Sequence, residues 1–269
     1  MLSSAQEGDA ALKPENLEKI NRSFEVQAPN FESGEVNFSK EEYLSYAVSA
    51  AAPGPGDTVL EAAAGTCACG RAFAPLVRTV VCLDATEAML EVGRREAERA
   101  QLGNMVFVKG YVEELPFLSG SFDMVFSRLA FHHFTDVQAA FAEMARVLKP
   151  GGLLVMIDME AAPEPLRESE DAIETLRDPS HVKNLSLGEM RVLFAGHGLS
   201  IEKCEVTRMT QHLGSWLALT KTSDAVSEEI VRRMRSELGG GDETGFSPYM
   251  SGGGICFDQR WVLMTGRKE

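Results

Sequence analysis

Residues 57–70, Asp-Thr-Val-Leu-Glu-Ala-Ala-Ala-Gly-Thr-Cys-Ala-Cys-Gly, constrain the fold more than any other stretch. The apolar pair Val59-Leu60 ends in Glu61, a loop of very small side chains follows, and Arg71-Ala-Phe-Ala74 is compatible with helix. That order reads as a buried strand, a tight turn and a helix, the unit at which α/β sheets hold nucleotide-like ligands. Small side chains let a ligand approach the backbone, and the helix start offers unpaired N–H groups. The Glu61 carboxylate would repel a pyrophosphate, whereas it suits a ligand carrying an ammonium group. The competing reading of this stretch is an ordinary strand–turn–helix whose small residues serve packing.

The pattern then alternates as far as Asp158. Strands are predicted at Thr58–Glu61, Val80–Asp84, Met105–Lys109, Phe122–Ser127 and Leu153–Asp158, with helices near Arg71–Leu76, Glu87–Ala100 and Val137–Leu148. The strands are mostly continuous apolar runs, as expected when helices cover both faces of a sheet. Right-handed crossovers then build an open, doubly wound, Rossmann-like parallel sheet whose ligands bind beyond the strands' C-terminal ends. Those ends carry Glu61, Asp84, Gly110–Glu113, Ser127-Arg128 and Asp158. A carboxylate at Asp84 can accept both hydroxyls of a ribose. A dinucleotide oxidoreductase would place an acid similarly, but its G-x-G-x-x-G glycines are here Ala63, Gly65 and Gly70, so an NAD site is a weak reading.

The flanks are helical and polar. Residues 1–52 read as two helical pieces separated by Pro29 and a loop containing Gly34. The second runs from about Lys40 to Ala52, with Ser39 as its N-cap and Glu42 three residues on. Pro53-Gly-Pro-Gly56 turns the chain into the first strand. After Asp158 an acidic, proline-containing segment breaks the alternation over 160–199, with a helix at Leu187–Ala195 capped by Ser186. A sixth strand follows at Ser200–Arg208, then a helical stretch with Trp216, a charged helix from Ser223 to Leu238, and a seventh strand at Trp261–Thr265. The insertion at about 209–255 is long enough to form a lid.

Charge and composition narrow the partners. The net charge of -14 argues against a nucleic-acid groove, which needs Lys and Arg to neutralise phosphates. The chain has no run of roughly 20 apolar residues, so no membrane span is expected. The N-terminus lacks the basic and apolar regions of a signal peptide. The five cysteines are an odd number, and Cys67-Ala-Cys69 is too closely spaced for zinc-type pairs. Free thiols, a cytoplasmic location and no metal are the expectations, with a Cys67/Cys69 metal or redox pair as the minority alternative.

Five segments, in order, resemble the motifs of class I S-adenosylmethionine-dependent methyltransferases. Val59-Leu-Glu-Ala-Ala-Ala-Gly-Thr-Cys67 looks like the first, usually V-L-D-x-G-x-G-x-G, and Val81-Cys-Leu-Asp-Ala-Thr-Glu-Ala-Met-Leu90 the second. Val108-Lys-Gly-Tyr-Val-Glu-Glu-Leu-Pro-Phe117 is similar to the third, Phe122 to Phe134 to the fourth, and Arg146 to Val155 to the fifth. The nearest subgroup looks like the ubiquinone/menaquinone-biosynthesis type. Phe24-Glu-Val-Gln-Ala28 and Arg177-Asp-Pro-Ser-His-Val182 resemble that subgroup too.

The resemblance implies an N-terminal helical segment, 1–52, packing on the cofactor site of a methyltransferase domain at 53–269. It also implies S-adenosylmethionine as cofactor, with S-adenosylhomocysteine as product. Glu61 would receive the methionine ammonium, Ala63 and Gly65 would form the turn beneath the methionine and ribose, and Asp84 would take the ribose hydroxyls. Ala85 and Met89 would line the adenine, Val112 and Glu113 would read its edge, and Ser127 and Arg128 would flank the methionine. The departures are Ala63 and Cys67 at glycine positions, which crowd the cofactor, and Tyr111 where an adenine-binding acid is usual.

Methyl transfer by direct displacement needs alignment and exclusion of water, and for oxygen or carbon nucleophiles also a general base. Candidates are His132, His133, Asp158 and His181, each with structural packing as the rival account. Arg128 and Arg177 could receive an acidic substrate group or serve in salt bridges, and Tyr43 and Phe31 could close over the cofactor or pack a helix. The leading expectation is a methyltransferase for a small-molecule acceptor. The alternative is a protein of the same fold that binds S-adenosylmethionine or S-adenosylhomocysteine without transferring methyl. Assembly is open, with a homodimer as one option.

Overall fold

The computed structural model describes residues 16–28, 31 and 41–269. The Ser39 cap and the loop holding Pro29 and Gly34 lie outside the described residues. Helices α1 (Leu17–Gln27) and α2 (Glu41–Ala51) precede strand β1 (Thr58–Ala62), helix α3 (Ala68–Phe73) and strand β2 (Thr79–Asp84). Then come α4 (Glu87–Arg99), β3 (Met105–Lys109), β4 (Phe122–Arg128), α5 (Val137–Val147) and β5 (Leu148–Met159). The C-terminal part contributes α6 (Arg167–Arg177), α7 (Leu187–Gly196), β6 (Leu199–His212), α8 (Leu213–Leu219), α9 (Asp224–Leu238), β7 (Tyr249–Ser251) and β8 (Gly254–Lys268).

The sheet runs in the order β3-β2-β1-β4-β5-β8-β6, with β7 paired to β8. The first five strands are mutually parallel, and β8 lies antiparallel between β5 and β6. The seven predicted strands are all present. The eighth, β7, is a three-residue hairpin partner of β8 that is too short to show an alternating pattern. Residues on the two faces of the central strands enter different cores: Leu60, Leu83, Val125 and Leu154 in one, Val59, Val80, Phe126 and Val155 in the other. Alternation of side chains across a sheet covered on both sides produces this division.

Helix α6 is the main departure from the predicted elements. Its buried face is Glu170, Ile173 and Glu174, so an apolar stripe at helical spacing is missing from the sequence. Charge pairing takes the stripe's place: Arg260 reaches Glu170 at 3.3 Å, and Arg177 reaches Glu174 at 3.2 Å. Helix α3 also starts three residues earlier than predicted, directly after Cys67. That shift places its first residues within the small-residue stretch 57–70. Within the 209–255 stretch, α8 and α9 pack Trp216, Leu217, Ile230 and Met234 against Ile173 and Phe257, a third core at the edge of the sheet. No helix among the described residues is long and apolar enough to cross a membrane.

Candidate functional site

A cavity with about 1400 Å³ of free space, its open mouth included, lies beyond the C-terminal ends of β1, β2 and β4. It falls where the sheet order reverses direction, between β1 and β4. The turn after β1 forms its floor and is tied to β2: Ala64 N–H donates to Leu83 O at 2.9 Å, and Gly65 N–H to Asp84 Oδ2 at 2.7 Å. The other Asp84 oxygen accepts Thr86 N–H at 2.8 Å, and burial raises the pKa of this carboxyl. Asp84 is thus fixed by two backbone donors while still lining the cavity.

Glu61 is buried and accepts Gly70 N–H at 2.8 Å. Burial pushes its pKa up to about 7, against the opposing pull of that hydrogen bond and of Arg128. Gly70 permits the contact, because a Cβ there would come within 2.6 Å of Glu61 Oε2 and of Cys82 Sγ. Ala63 and Cys67, at the first and third glycine positions of the motif, keep left-handed backbones with φ of 54° and 59°. Ala63 lines the cavity as expected. Cys67 corrects the expectation of crowding: its side chain is fully buried beneath the loop and does not line the cavity. Its sulfur partner is Cys82, not Cys69.

On the far side of Asp84 the wall is formed by Ala85, Met89, Gly110, Tyr111, Val112 and Glu113. Tyr111 pairs with Glu114 as an isolated bridge, which turns the chain so that Glu113, two residues after Tyr111, reaches the cavity. Burial raises the pKa of the Glu113 carboxyl.

The histidines divide the opposite wall. His132 and His133 both line the cavity, with ring centroids 4.2 Å apart. Asp158 Oδ1 lies 2.7 Å from His132 Nδ1, while Asp158 also accepts the N–H groups of Ala130, Phe131 and Met159. Burial alone would lower the His132 pKa, but the Asp158 charge and hydrogen bond outweigh it and raise it. His133 touches no carboxylate directly: its Nδ1 meets Ser180 Oγ at 3.1 Å, and Ser180 Oγ also donates to Asp178. Burial followed by the His132 charge lowers the His133 pKa against the pull of Asp178.

Three candidates are placed away from the cavity wall. Asp158 is 1% exposed behind His132, so it can orient the imidazole but cannot touch a ligand. His181 is buried, and its Nε2 lies 2.9 Å from Asp171 Oδ1, an arrangement that holds the loop after α6. Ser127 is buried and outside the lining, because alternation along β4 sends it to the other side from Arg128, which does line the cavity. Arg177 lines the cavity too but stacks on Trp216 at 4.2 Å and pairs with Glu174. Phe31 faces the cavity, whereas Tyr43 packs on Trp261 with centroids 6.1 Å apart.

Sequence reasoning named the covering segments but missed most of the side chains that form the cover and the contacts that fasten it. From α1, Ile20, Phe24 and Gln27 reach the cavity, and from α8, Trp216 and Leu219 do so. Asp178 fastens α1 by accepting from Ser23 at 2.8 Å and Gln27 at 3.4 Å, and Phe24 meets His133 edge-on at 5.1 Å. A signal for this was present. The two outlying segments that resemble one subgroup, around Phe24 and around Asp178, pack on each other.

Comparison with known proteins bears on the family and the fold. The family described as a methyltransferase domain matches residues 60–156, which hold all five motif-like segments apart from the first residue. The chain is 37% identical over 155 residues to the uncharacterized protein YafE of Escherichia coli, covering 57% of this chain and 75% of that protein. It is 34% identical over 177 residues to the uncharacterized methyltransferase YcgJ of Bacillus subtilis, covering 65% and 70%. The crystal structure of YcgJ superposes with a TM-score of 0.77 over 86% of this chain and 99% of that one, at 28% identity. The ubiquinone/menaquinone biosynthesis C-methyltransferase UbiE of Cereibacter sphaeroides is 38% identical over 121 residues, and the match spans 48% of its length.

Proposed function

This chain belongs to the class I S-adenosylmethionine-dependent methyltransferases, and we propose that it methylates a small-molecule acceptor by direct displacement in the cavity between β1 and β4. The observation that carries the reading is that one cavity joins Glu61 and Asp84 on one wall to the Asp158-supported His132 on the other. The donor set suits the cofactor. Glu61 faces a ligand ammonium, Asp84 offers carboxylate oxygens to a vicinal diol, and Ala85, Met89 and Val112 form an apolar slot for a base. Glu113 stands near enough in sequence to Tyr111 to supply the carboxylate that the motif lacks there.

When bound, S-adenosylmethionine supplies an electrophilic methyl on a sulfonium. The protein's share is to align the acceptor, keep water out and handle a proton. His132 is the group read as general base: Asp158 fixes its Nδ1 side and leaves Nε2 for a hydroxyl or carbon acid in the cavity. Burial lowers the His133 pKa, and this ring is read as a wall and hydrogen-bonding group. Helix α1 and the α8 part of the 209–255 insertion are read as the cover, since Phe24 and Trp216 close over the same space.

The test is product formation from methyl-labelled S-adenosylmethionine over a panel of quinol, phenol and amine acceptors. Labelled product with a hydroxyl or carbon acceptor, lost on His132→Gln with the cofactor affinity kept, is the expected result. Cofactor binding without transfer to any acceptor would favour a binding protein of the same fold.

A further inference from the structure

Beneath the turn after β1 lies a cluster that methyl transfer does not use. One ligand atom each from Glu61, Cys67 and Cys82 falls within 4.8 Å of the others, and all three residues are buried. Glu61 and Cys82 are register partners on β1 and β2, so their side chains leave the sheet on the same face. Cys67 enters from above, its left-handed backbone at the head of α3 turning the thiol down between the strands and α4.

Two glycines make the room. A Cβ on Gly70 would lie 2.6 Å from both Cys82 Sγ and Glu61 Oε2, and one on Gly93 would lie 2.8 Å from Cys67 Sγ. Glu61 is also the one member of the trio that lines the cavity, which gives the cluster an entrance. Two sulfurs with one carboxylate form a donor set for soft or borderline cations, whereas hard cations take oxygen ligands throughout. Three protein ligands leave a further coordination position open.

We propose that Glu61, Cys67 and Cys82 form a binding site for one soft, thiophilic divalent cation, entered from the cavity, whose occupation takes Glu61 away from the methyl donor. Coordination exchanges two S–H bonds for two sulfur–metal bonds and adds a Glu61 oxygen–metal bond, releasing two thiol protons and whatever proton the Glu61 carboxyl carries to solvent, with no oxidant required. The cation site stands on the cluster alone. Its antagonism with cofactor rests on the ammonium role of Glu61 given above.

Cadmium(II) is the probe. The full chain contains a second soft pair, Cys256 Sγ and His212 Nδ1 at 3.1 Å, so the titration is run on Cys204→Ser/Cys256→Ser protein without cofactor. The expected result is a single tight cadmium ion with thiolate-to-cadmium charge-transfer absorption and two sulfur neighbours by X-ray absorption. Cys67→Ala and Cys82→Ala should each remove that signature, while Cys69→Ala retains it. Should either alanine variant fail to fold, alkylation of the Cys204→Ser/Cys256→Ser protein decides: cadmium should shield Cys67 and Cys82 together. One sulfur or none at the metal, or no shielding of this pair, overturns the proposal. Saturating S-adenosylmethionine should weaken cadmium binding about tenfold or more, since such coupling is reciprocal. An unchanged cadmium affinity would overturn the shared use of Glu61. A two-sulfur signature in protein that binds no cofactor would reject the methyl-donor reading and leave the cation site standing.

Discussion

Asp158 holds His132 at 2.7 Å while three backbone N–H groups hold Asp158, so the imidazole is anchored on its Nδ1 side from a carboxylate that never meets the cavity. Burial pushes the Asp158 carboxyl up, but the His132 charge and hydrogen bond overcome it and lower its pKa. The pair is therefore polarised toward a base whose proton affinity exceeds that of an ordinary buried histidine.

His132→Gln should reduce methyl transfer to a hydroxyl acceptor by about 10²–10⁴-fold, the usual worth of a general base, with cofactor affinity essentially kept. Asp158→Asn should act differently. Because the carboxylate raises the His132 pKa, its removal should move the acid limb of the pH–rate profile to lower pH as well as reduce the rate. A profile that keeps its position in Asp158→Asn would mean that Asp158 has only a packing role.

Asp84→Ala should weaken cofactor binding by about 2–4 kcal/mol, the scale of one to two hydrogen bonds to a charged group. Calorimetry on folded variant reads this directly. An unchanged affinity would remove Asp84 from the ribose.

Ala63→Gly should stabilise the protein by about 1 kcal/mol, because a left-handed backbone costs an alanine on the order of 1–2 kcal/mol that glycine escapes. Urea unfolding with an unchanged slope is the measurement. A loss of stability would show that the Ala63 methyl contributes more packing than its backbone loses.

Stability should fall as pH rises toward neutrality, through Glu170. Burial pushes its folded pKa up to about 7 from 4.5, opposed by the Ala162 N–H and the Arg260 charge and reinforced by Glu174. The folded state then binds more protons than the unfolded chain between those values, so this contribution is full below pH 4.5 and is lost as pH rises through about 7. Glu170→Gln should flatten the dependence over that window by about 2–3 kcal/mol. A slope unchanged in the variant would assign the effect to other groups.

Much of this was legible because it is periodic or sits at strand ends. Glu61, Asp84 and the His132-His133 pair follow apolar runs, so topology alone sends them to one edge of the sheet. What sequence reasoning missed depends on contacts between distant segments. Helix α6 hides its type by burying Glu170 and Glu174 on partners nearly a hundred residues away. The direction of the Cys67 thiol follows from a left-handed backbone that glycine normally supplies, and a residue name does not reveal which way such a side chain turns. The fastening of α1 by Asp178 joins positions about 150 residues apart, beyond any local pattern.

The central claim is that the cavity between β1 and β4 is built for S-adenosylmethionine. Isothermal calorimetry of the purified chain with S-adenosylmethionine, S-adenosylhomocysteine and NAD tests it most directly. The account predicts one site for both sulfur ligands, weakened by Asp84→Ala, and no NAD binding. Preference for NAD, or no binding of either sulfur ligand by folded protein, would contradict it.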